Sequence, residues 1–83
     1  MMVIDTKLIE KYVDTSFGIA DARVYPGGAT VWALIGYLRA ADNDIDQVIH
    51  DYDLPPEAMQ AALLYYKKYK KAIDARLLLN ELA

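Results

Sequence analysis

Three helix-like segments decide the fold, and the first is Val31-Trp32-Ala33-Leu34-Ile35-Gly36-Tyr37-Leu38-Arg39. The second is Ile45-Asp46-Gln47-Val48-Ile49-His50-Asp51-Tyr52, and the third is a long run that opens at Glu57. Only Asp53-Leu54-Pro55-Pro56 joins the second segment to the third. This layout is typical of a helix-turn-helix, in which the second helix of the pair carries the recognition surface. We therefore predict a mainly α fold with a homeodomain-like three-helix core, and a small binding module in preference to a self-contained enzyme.

Capping residues indicate where each of these helices begins. The hydroxyl of Thr30 can accept an unpaired backbone N–H at the start of the first helix. Asp44, with Gln47 three residues later, predicts a capping box for the second helix. The two prolines suit the first turn of the third helix, where a missing N–H costs nothing. Leu54 is predicted to fill the turn between the second and third helices. The inner face of the second helix is predicted to consist of Ile45, Val48, Ile49 and Tyr52.

The residues before this core, 1–29, are predicted to form an N-terminal arm with a short β-arm or hairpin. Residues 1–13 fit either a short strand or a helical turn. Further along, Phe17, Ile19 and Val24 fall on the inward positions of a rough alternation. Pro26-Gly27-Gly28 is a strong turn signal that ends this stretch.

The residues after the core at 30–66 are predicted to form a long C-terminal helical extension over residues 67–83. An apolar stripe at helical spacing runs from Met59 nearly to the end of the sequence. An unbroken helix over residues 56–80 would be about 37 Å long, more than a three-helix core of this size can cover. Either the helix breaks near Lys70, or its end projects and lies on something else.

The composition limits the classes of protein that the chain can belong to. Its 83 residues allow one domain, and 55% of them are apolar, which indicates a surface that a partner or a second copy covers. There is no cysteine, so disulfides and cysteine-based metal sites are excluded. No apolar run approaches the roughly 20 residues of a membrane span, and the N-terminus lacks a signal-peptide pattern. We expect a cytoplasmic protein with no membrane partner.

The net charge of −3 is unevenly divided along the chain. Residues 1–55 carry nine acids and four bases, a net −5, whereas residues 56–83 carry three acids and five bases, a net +2. The basic end suits an acidic partner or phosphate. The acidic second helix argues against close approach to DNA along its flank.

Several stretches together resemble one prokaryotic family, the domain-of-unknown-function 433 group. Residues 31–40 look like its apolar helix, residues 45–52 like its Glu-Ile-Ala-Glu-Asp-Tyr segment, and residues 54–66 like its Leu-Thr-Pro-Glu-Gln-Val-x-Ala-Ala-Leu-x-Tyr-Tyr. Ile73-Asp74-Ala75-Arg76-Leu77 matches its closing Ile-Asp-x-x-Leu. The family usually has Gly-Thr-Arg-Ile-Pro-Val before the tryptophan. Here either residues 21–24, with Arg23, take that place, or residues 26–29 do and the arginine is absent.

The resemblance implies a helix-turn-helix antitoxin of a type II toxin–antitoxin pair. Members of the family are similar to antitoxins that are often paired with a PIN-like ribonuclease toxin. The chain would then neutralise such a toxin and bind its own operator DNA. We expect a homo-oligomer that has no small-molecule substrate.

Two sets of residues are candidates for these contacts. A DNA-reading surface would use Glu57, Gln60 and Ala61 at the start of the third helix, together with Arg23 of the arm. Gln60 can bond to adenine and Ala61 can touch a thymine methyl, although the start of this helix holds no arginine or lysine and Glu57 repels phosphate. The competing interpretation is a packing or protein-docking surface. A partner-binding arm would use Lys67, Lys70, Lys71, Ile73, Arg76, Leu77 and Leu78.

The arm combines charge with apolar anchors. Its lysines would face the acidic pocket of the toxin, and Ile73, Leu77, Leu78 and Leu79 would be buried against it. Alternatively, the lysines neutralise phosphate or form a solvated helix face.

Enzymatic and metal-binding functions find little support in the sequence. His50 is the only histidine, and no serine, cysteine or second histidine is placed to work with it. Asp42-x-Asp44-x-Asp46, with Asp53 at position twelve, faintly resembles a calcium loop, but Gln47 stands where such loops need glycine. Tyr65-Tyr66 could stack on RNA bases, although helical spacing places Tyr66 in the core. We predict no catalytic, cofactor or metal site.

Two functions from different classes remain. The first is an antitoxin-like protein that binds a PIN-like ribonuclease toxin and regulates its own operon. The second is a homodimeric helix-turn-helix transcriptional regulator that has no toxin partner.

Overall fold

The computed structural model describes residues 2–82, with side chains from residue 6 onward. The elements in chain order are α1 (Met2–Tyr12), β1 (Val13–Asp14), β2 (Arg23–Val24), β3 (Ala29–Thr30), α2 (Val31–Ala40), α3 (Ile45–Tyr52), α4 (Pro56–Lys68) and α5 (Lys70–Leu82). The prediction of a mainly α fold with a small N-terminal β element is confirmed. For residues 1–13 the sequence leaves a short strand or a helical turn open, and the structure has a helix of three turns at residues 2–12 that packs along α4. Residues 1 and 83, the outer limits of the predicted arm and extension, lie outside the described residues.

The small sheet is antiparallel, in the order β1-β2-β3. Val24 is fully buried and pairs with Val13 on one side and Ala29 on the other. The turn between β2 and β3 uses Gly27 and Gly28, whose φ angles of +108° and +76° favour glycine. The prediction that Phe17 and Ile19 face inward is wrong, since both are about half exposed. They lie in the loop between β1 and β2, where strand alternation does not apply.

The helices α2 and α3 begin at the capping residues that the sequence predicts, Thr30 and Asp44. Thr30 Oγ1 accepts the Ala33 N–H at 3.3 Å, and Asp44 Oδ1 accepts the Gln47 N–H at 3.2 Å. The capping box is only half formed, because the Gln47 amide donates to Asp51 instead, at 2.8 Å.

Most of the residues predicted to face the helical core are at least partly buried. Leu54 is buried between α3 and α4, as predicted, and Val48 of α3 is fully buried. Ile45 is wrongly assigned to the inner face of α3, since it is 41% exposed at the first position of the helix.

The long C-terminal run breaks at Tyr69, and α5 folds back onto α2. Ile73 is fully buried and Leu77 is 7% exposed. Gly36 permits this close approach, because a Cβ added to it would lie only 3.1 Å from Leu77 Cδ2. One core cluster therefore includes residues from the N-terminal arm, the central helices and the C-terminal extension.

Candidate functional site

The predicted DNA-reading residues do not form a single reading surface. Glu57 and Gln60 are exposed on α4, but Ala61 is fully buried, and a buried methyl group cannot reach a base edge. Arg23 is exposed on β2, where its guanidinium lies 4.3 Å from the centroid of the Phe17 ring. The assignment of Ala61 to DNA contact is thus wrong, because α4 uses that face for the core.

The predicted partner-binding residues divide into a buried group and an exposed group. Ile73 and Leu77 belong to this chain's own core, so their assignment as partner anchors is wrong. Arg76 is also turned inward: its Nε donates to Asp21 at 3.1 Å, and its guanidinium lies 4.5 Å from the ring centroid of Trp32. Leu78 is 54% exposed and stays available to a partner.

The exposed leucines of α5 form a stripe on the side of the helix opposite Ile73 and Leu77. Leu78, Leu79 and Leu82 are 54%, 63% and 75% exposed. Their spacing places them along one face, because residues three and four positions apart are neighbours on a helix surface. We call these three residues the leucine stripe. The sequence predicts Leu78 and Leu79 as partner contacts, but helical spacing alone does not separate them from the buried residues of the same helix.

Four lysines surround the break between α4 and α5: Lys67, Lys68, Lys70 and Lys71. They line a shallow depression together with Tyr69 and Ala72. Lys70 donates to Asp74 at 2.7 Å, and this carboxylate raises the pKa of Lys70. Among the described residues, Lys67 and Lys71 form no ion pair, so their charges face solvent. We call this group the lysine cluster.

Asp74 is the hub of a network that fastens α5 to α2 and α4. Its Oδ1 accepts from Arg39 at 2.9 Å and from the Tyr66 hydroxyl at 2.7 Å, and its Oδ2 accepts from Lys70. Arg39 also donates to the Tyr66 hydroxyl at 2.8 Å. The hydrogen bond from Lys70, followed by that from Tyr66, lowers the pKa of Asp74 to about 2. A carboxylate held this firmly in its charged form is a poor proton acceptor at neutral pH, so the network is suited to holding the helix in place.

A second polar group lies where α2 meets α3. Asp51 accepts hydrogen bonds from the Tyr37 hydroxyl and the Gln47 amide and lies 3.1 Å from His50 Nδ1. These contacts, the bond from Tyr37 above all, lower the pKa of Asp51 to about 2, while the pKa of Tyr37 is raised. The Tyr37 ring also meets that of Tyr52 edge to face, with centroids 5.3 Å apart. The group links the two helices and leaves the His50 side chain largely exposed, with Asp51 as its contact.

The described part of the chain holds neither a metal-binding cluster of acidic and histidine side chains nor a helix that could span a membrane. No three His, Asp or Glu side chains there converge closely enough to hold an ion. None of the helices described is both long enough and apolar enough to cross a bilayer.

Comparison of the chain with family models, with curated proteins and with solved structures finds no match. The resemblance to the domain-of-unknown-function 433 group therefore stays a prediction. The leucine stripe and the lysine cluster are the exposed features of α5 and its junction with α4 that suit contact with a partner.

Proposed function

We propose that this chain is an antitoxin-like interaction protein, and that α5 docks on a PIN-like ribonuclease toxin and neutralises it. In this proposal α3 and α4 form the helix-turn-helix pair of a cytoplasmic antitoxin, and they serve to position α5. The observation that carries the proposal is the leucine stripe. Single exposed leucines are ordinary on a protein surface, whereas three on two turns of one helix form a patch typical of a protein contact.

The leucine stripe supplies affinity through burial. Full burial of a leucine contributes about 1.5–3 kcal/mol. The stripe residues are half to three-quarters exposed, so each has about 1–2 kcal/mol left to gain. Because α5 is already folded against α2, binding requires little further ordering of the chain.

The lysine cluster supplies charge complementarity at the break between α4 and α5, next to the start of the helix that carries the stripe. Lys67 and Lys71 carry positive charges that no acid of the described chain neutralises. A PIN-like nuclease, as the family resemblance implies, has an acidic metal-binding pocket. Opposite potentials on the two surfaces would steer association and fix the orientation of the complex.

Co-expression tests this proposal. The chain is produced with the product of the neighbouring reading frame, and growth, RNA integrity and co-purification are measured. We expect rescue of growth by the unaltered chain and loss of rescue when Leu78, Leu79 and Leu82 are all replaced by serine. The triple variant should lose roughly 10²–10⁴-fold in affinity if each leucine contributes about 1–2 kcal/mol.

The matched control is Ile45→Ser, which removes an exposed apolar side chain from α3. It should rescue growth as well as the unaltered chain does. A triple variant that still binds and neutralises would refute the proposal, as would a neighbouring reading frame that encodes no nuclease.

A further inference from the structure

A single residue, Tyr69, separates α4 from α5, and the helical hydrogen-bond pattern almost continues through it. The Tyr69 N–H donates to the Tyr65 carbonyl at 3.0 Å, and the Tyr69 carbonyl accepts from the Ile73 N–H at 3.1 Å. Within residues 2–82, only three N–H groups at this junction, those of residues 70–72, donate to no carbonyl of α4. The break is therefore local, with Tyr69 at φ −119° and ψ 39°.

The local sequence gives no reason for a break. Residues 67–72 are Lys-Lys-Tyr-Lys-Lys-Ala, and this stretch holds neither glycine nor proline. Such residues favour an uninterrupted helix. The bend must therefore be imposed by the contacts that α5 makes after it turns back.

All of those contacts are made with residues that precede the break. Leu77 packs against Gly36, and Asp74 bonds to Arg39. Arg76 pairs with Asp21 and lies over the Trp32 ring. A second copy of the chain carries the same set of partners in the same arrangement.

We propose that two copies exchange α5. In the exchanged dimer α4 and α5 become one straight helix over residues 56–82, and each α5 packs on α2 of the other chain. The straight helix has 27 residues and is about 40 Å long. It exceeds the 36 Å longest dimension of the bent chain, so α5 projects beyond its own body and reaches the second copy.

The balance between the monomer and the exchanged dimer depends on the backbone conformation of Tyr69, which we call the hinge. Each contact of α5 is made once per chain in either form, so these contacts cancel in the comparison. The dimer regains backbone hydrogen bonds at residues 70–72 of both chains and loses the entropy of association. Concentration and the helix propensity of residue 69 therefore decide which form is populated, whatever partner the leucine stripe binds.

Reversing the charges of one ion pair tests the exchange. In Arg39→Asp, position 39 repels Asp74 of the same chain, and in Asp74→Arg, position 74 repels Arg39. When the two variants exchange α5, each altered position meets an opposite charge, so both pairs attract. After the variants are warmed together and cooled, size-exclusion chromatography with light scattering should show about tenfold more dimer than either variant alone.

The control carries both substitutions in one chain. Its pair is restored internally, so it should behave as the unaltered chain does. A mixture that contains no more dimer than the separate variants would overturn the proposal.

A second pair of variants tests the hinge without disturbing the ion pair. Tyr69→Ala and Tyr69→Gly remove the same ring, but alanine favours the helical backbone by about 1 kcal/mol, and a dimer contains two hinges. The dissociation constant of the dimer should be about 30-fold lower for Tyr69→Ala. Equal constants would overturn the proposal, because association through the leucine stripe alone would not distinguish the two variants.

Discussion

Replacing Leu77 by alanine should destabilise the protein strongly, whereas replacing its neighbour Leu78 should not. Leu77 is 7% exposed and fills the space beside Gly36, while Leu78 is 54% exposed. Truncation of a buried leucine costs the lost transfer free energy and leaves a cavity, about 2–5 kcal/mol in total. Leu77 lies in the last helix and keeps slight solvent contact, so we expect about 2–3 kcal/mol. For Leu78→Ala we expect a change within about 0.5 kcal/mol.

This difference is large compared with the total stability of such a chain. At about 0.05–0.15 kcal/mol per residue, the free energy of unfolding is about 4–12 kcal/mol. Urea unfolding followed by circular dichroism measures it, and the melting temperature of Leu77→Ala should be about 10–20 °C lower. Equal, small effects of the two substitutions would show that α5 is not packed on α2. Such a result would also refute the proposals that the leucine stripe binds a partner and that two copies exchange α5.

Two further substitutions test specific hydrogen bonds. Asp74 has its pKa lowered to about 2 by its partners, so it stabilises the fold above about pH 4, and this stabilisation is lost as the pH falls toward 2. Between about pH 4 and pH 2 the urea concentration at the unfolding midpoint should therefore fall less for Asp74→Asn than for the control Glu81→Gln. An equal fall in the two variants would contradict this role of Asp74. The buried Tyr65 hydroxyl donates to the Ile19 carbonyl at 2.7 Å, so Tyr65→Phe should cost about 1–1.5 kcal/mol. Tyr52→Phe is its control, since that ring is half-buried and its hydroxyl has no hydrogen-bond partner within residues 2–82; equal costs would refute the role of the Tyr65 bond.

Local signals in the sequence predicted the starts of the central helices and the β2–β3 turn. Thr30, Asp44 and the glycines after Pro26 each determine the backbone only within a few residues. Thr30 and the glycines have the predicted roles, and Asp44 caps α3 although its capping box is half formed. Residues 2–12 were assigned less well, because their helix packs along α4, a contact that distant residues determine. The inward assignment of Phe17 assumed a strand where the chain forms a loop.

The candidate site depends on which face of α5 is buried against the rest of the chain. The apolar residues of the sequence from Met59 onward do not determine which face that is. Ile73, Leu77 and Leu78 all suit an apolar helix face, and local spacing does not say which of them another part of the chain will cover. Gly36 is the residue from which the packing of α5 on α2 could have been predicted. A glycine inside an otherwise helical segment often marks the close approach of another element, here Leu77 of α5.

The stacking of Arg76 on Trp32 gives the protein an optical reporter of its own. Trp32 is the sole tryptophan, and its indole N–H is buried without a hydrogen-bond partner among the described residues. The cation that covers the ring comes from α5. Tryptophan emission should therefore shift to longer wavelength when α5 lifts away and water reaches the indole. Stopped-flow fluorescence of the unlabelled protein can follow that movement in real time.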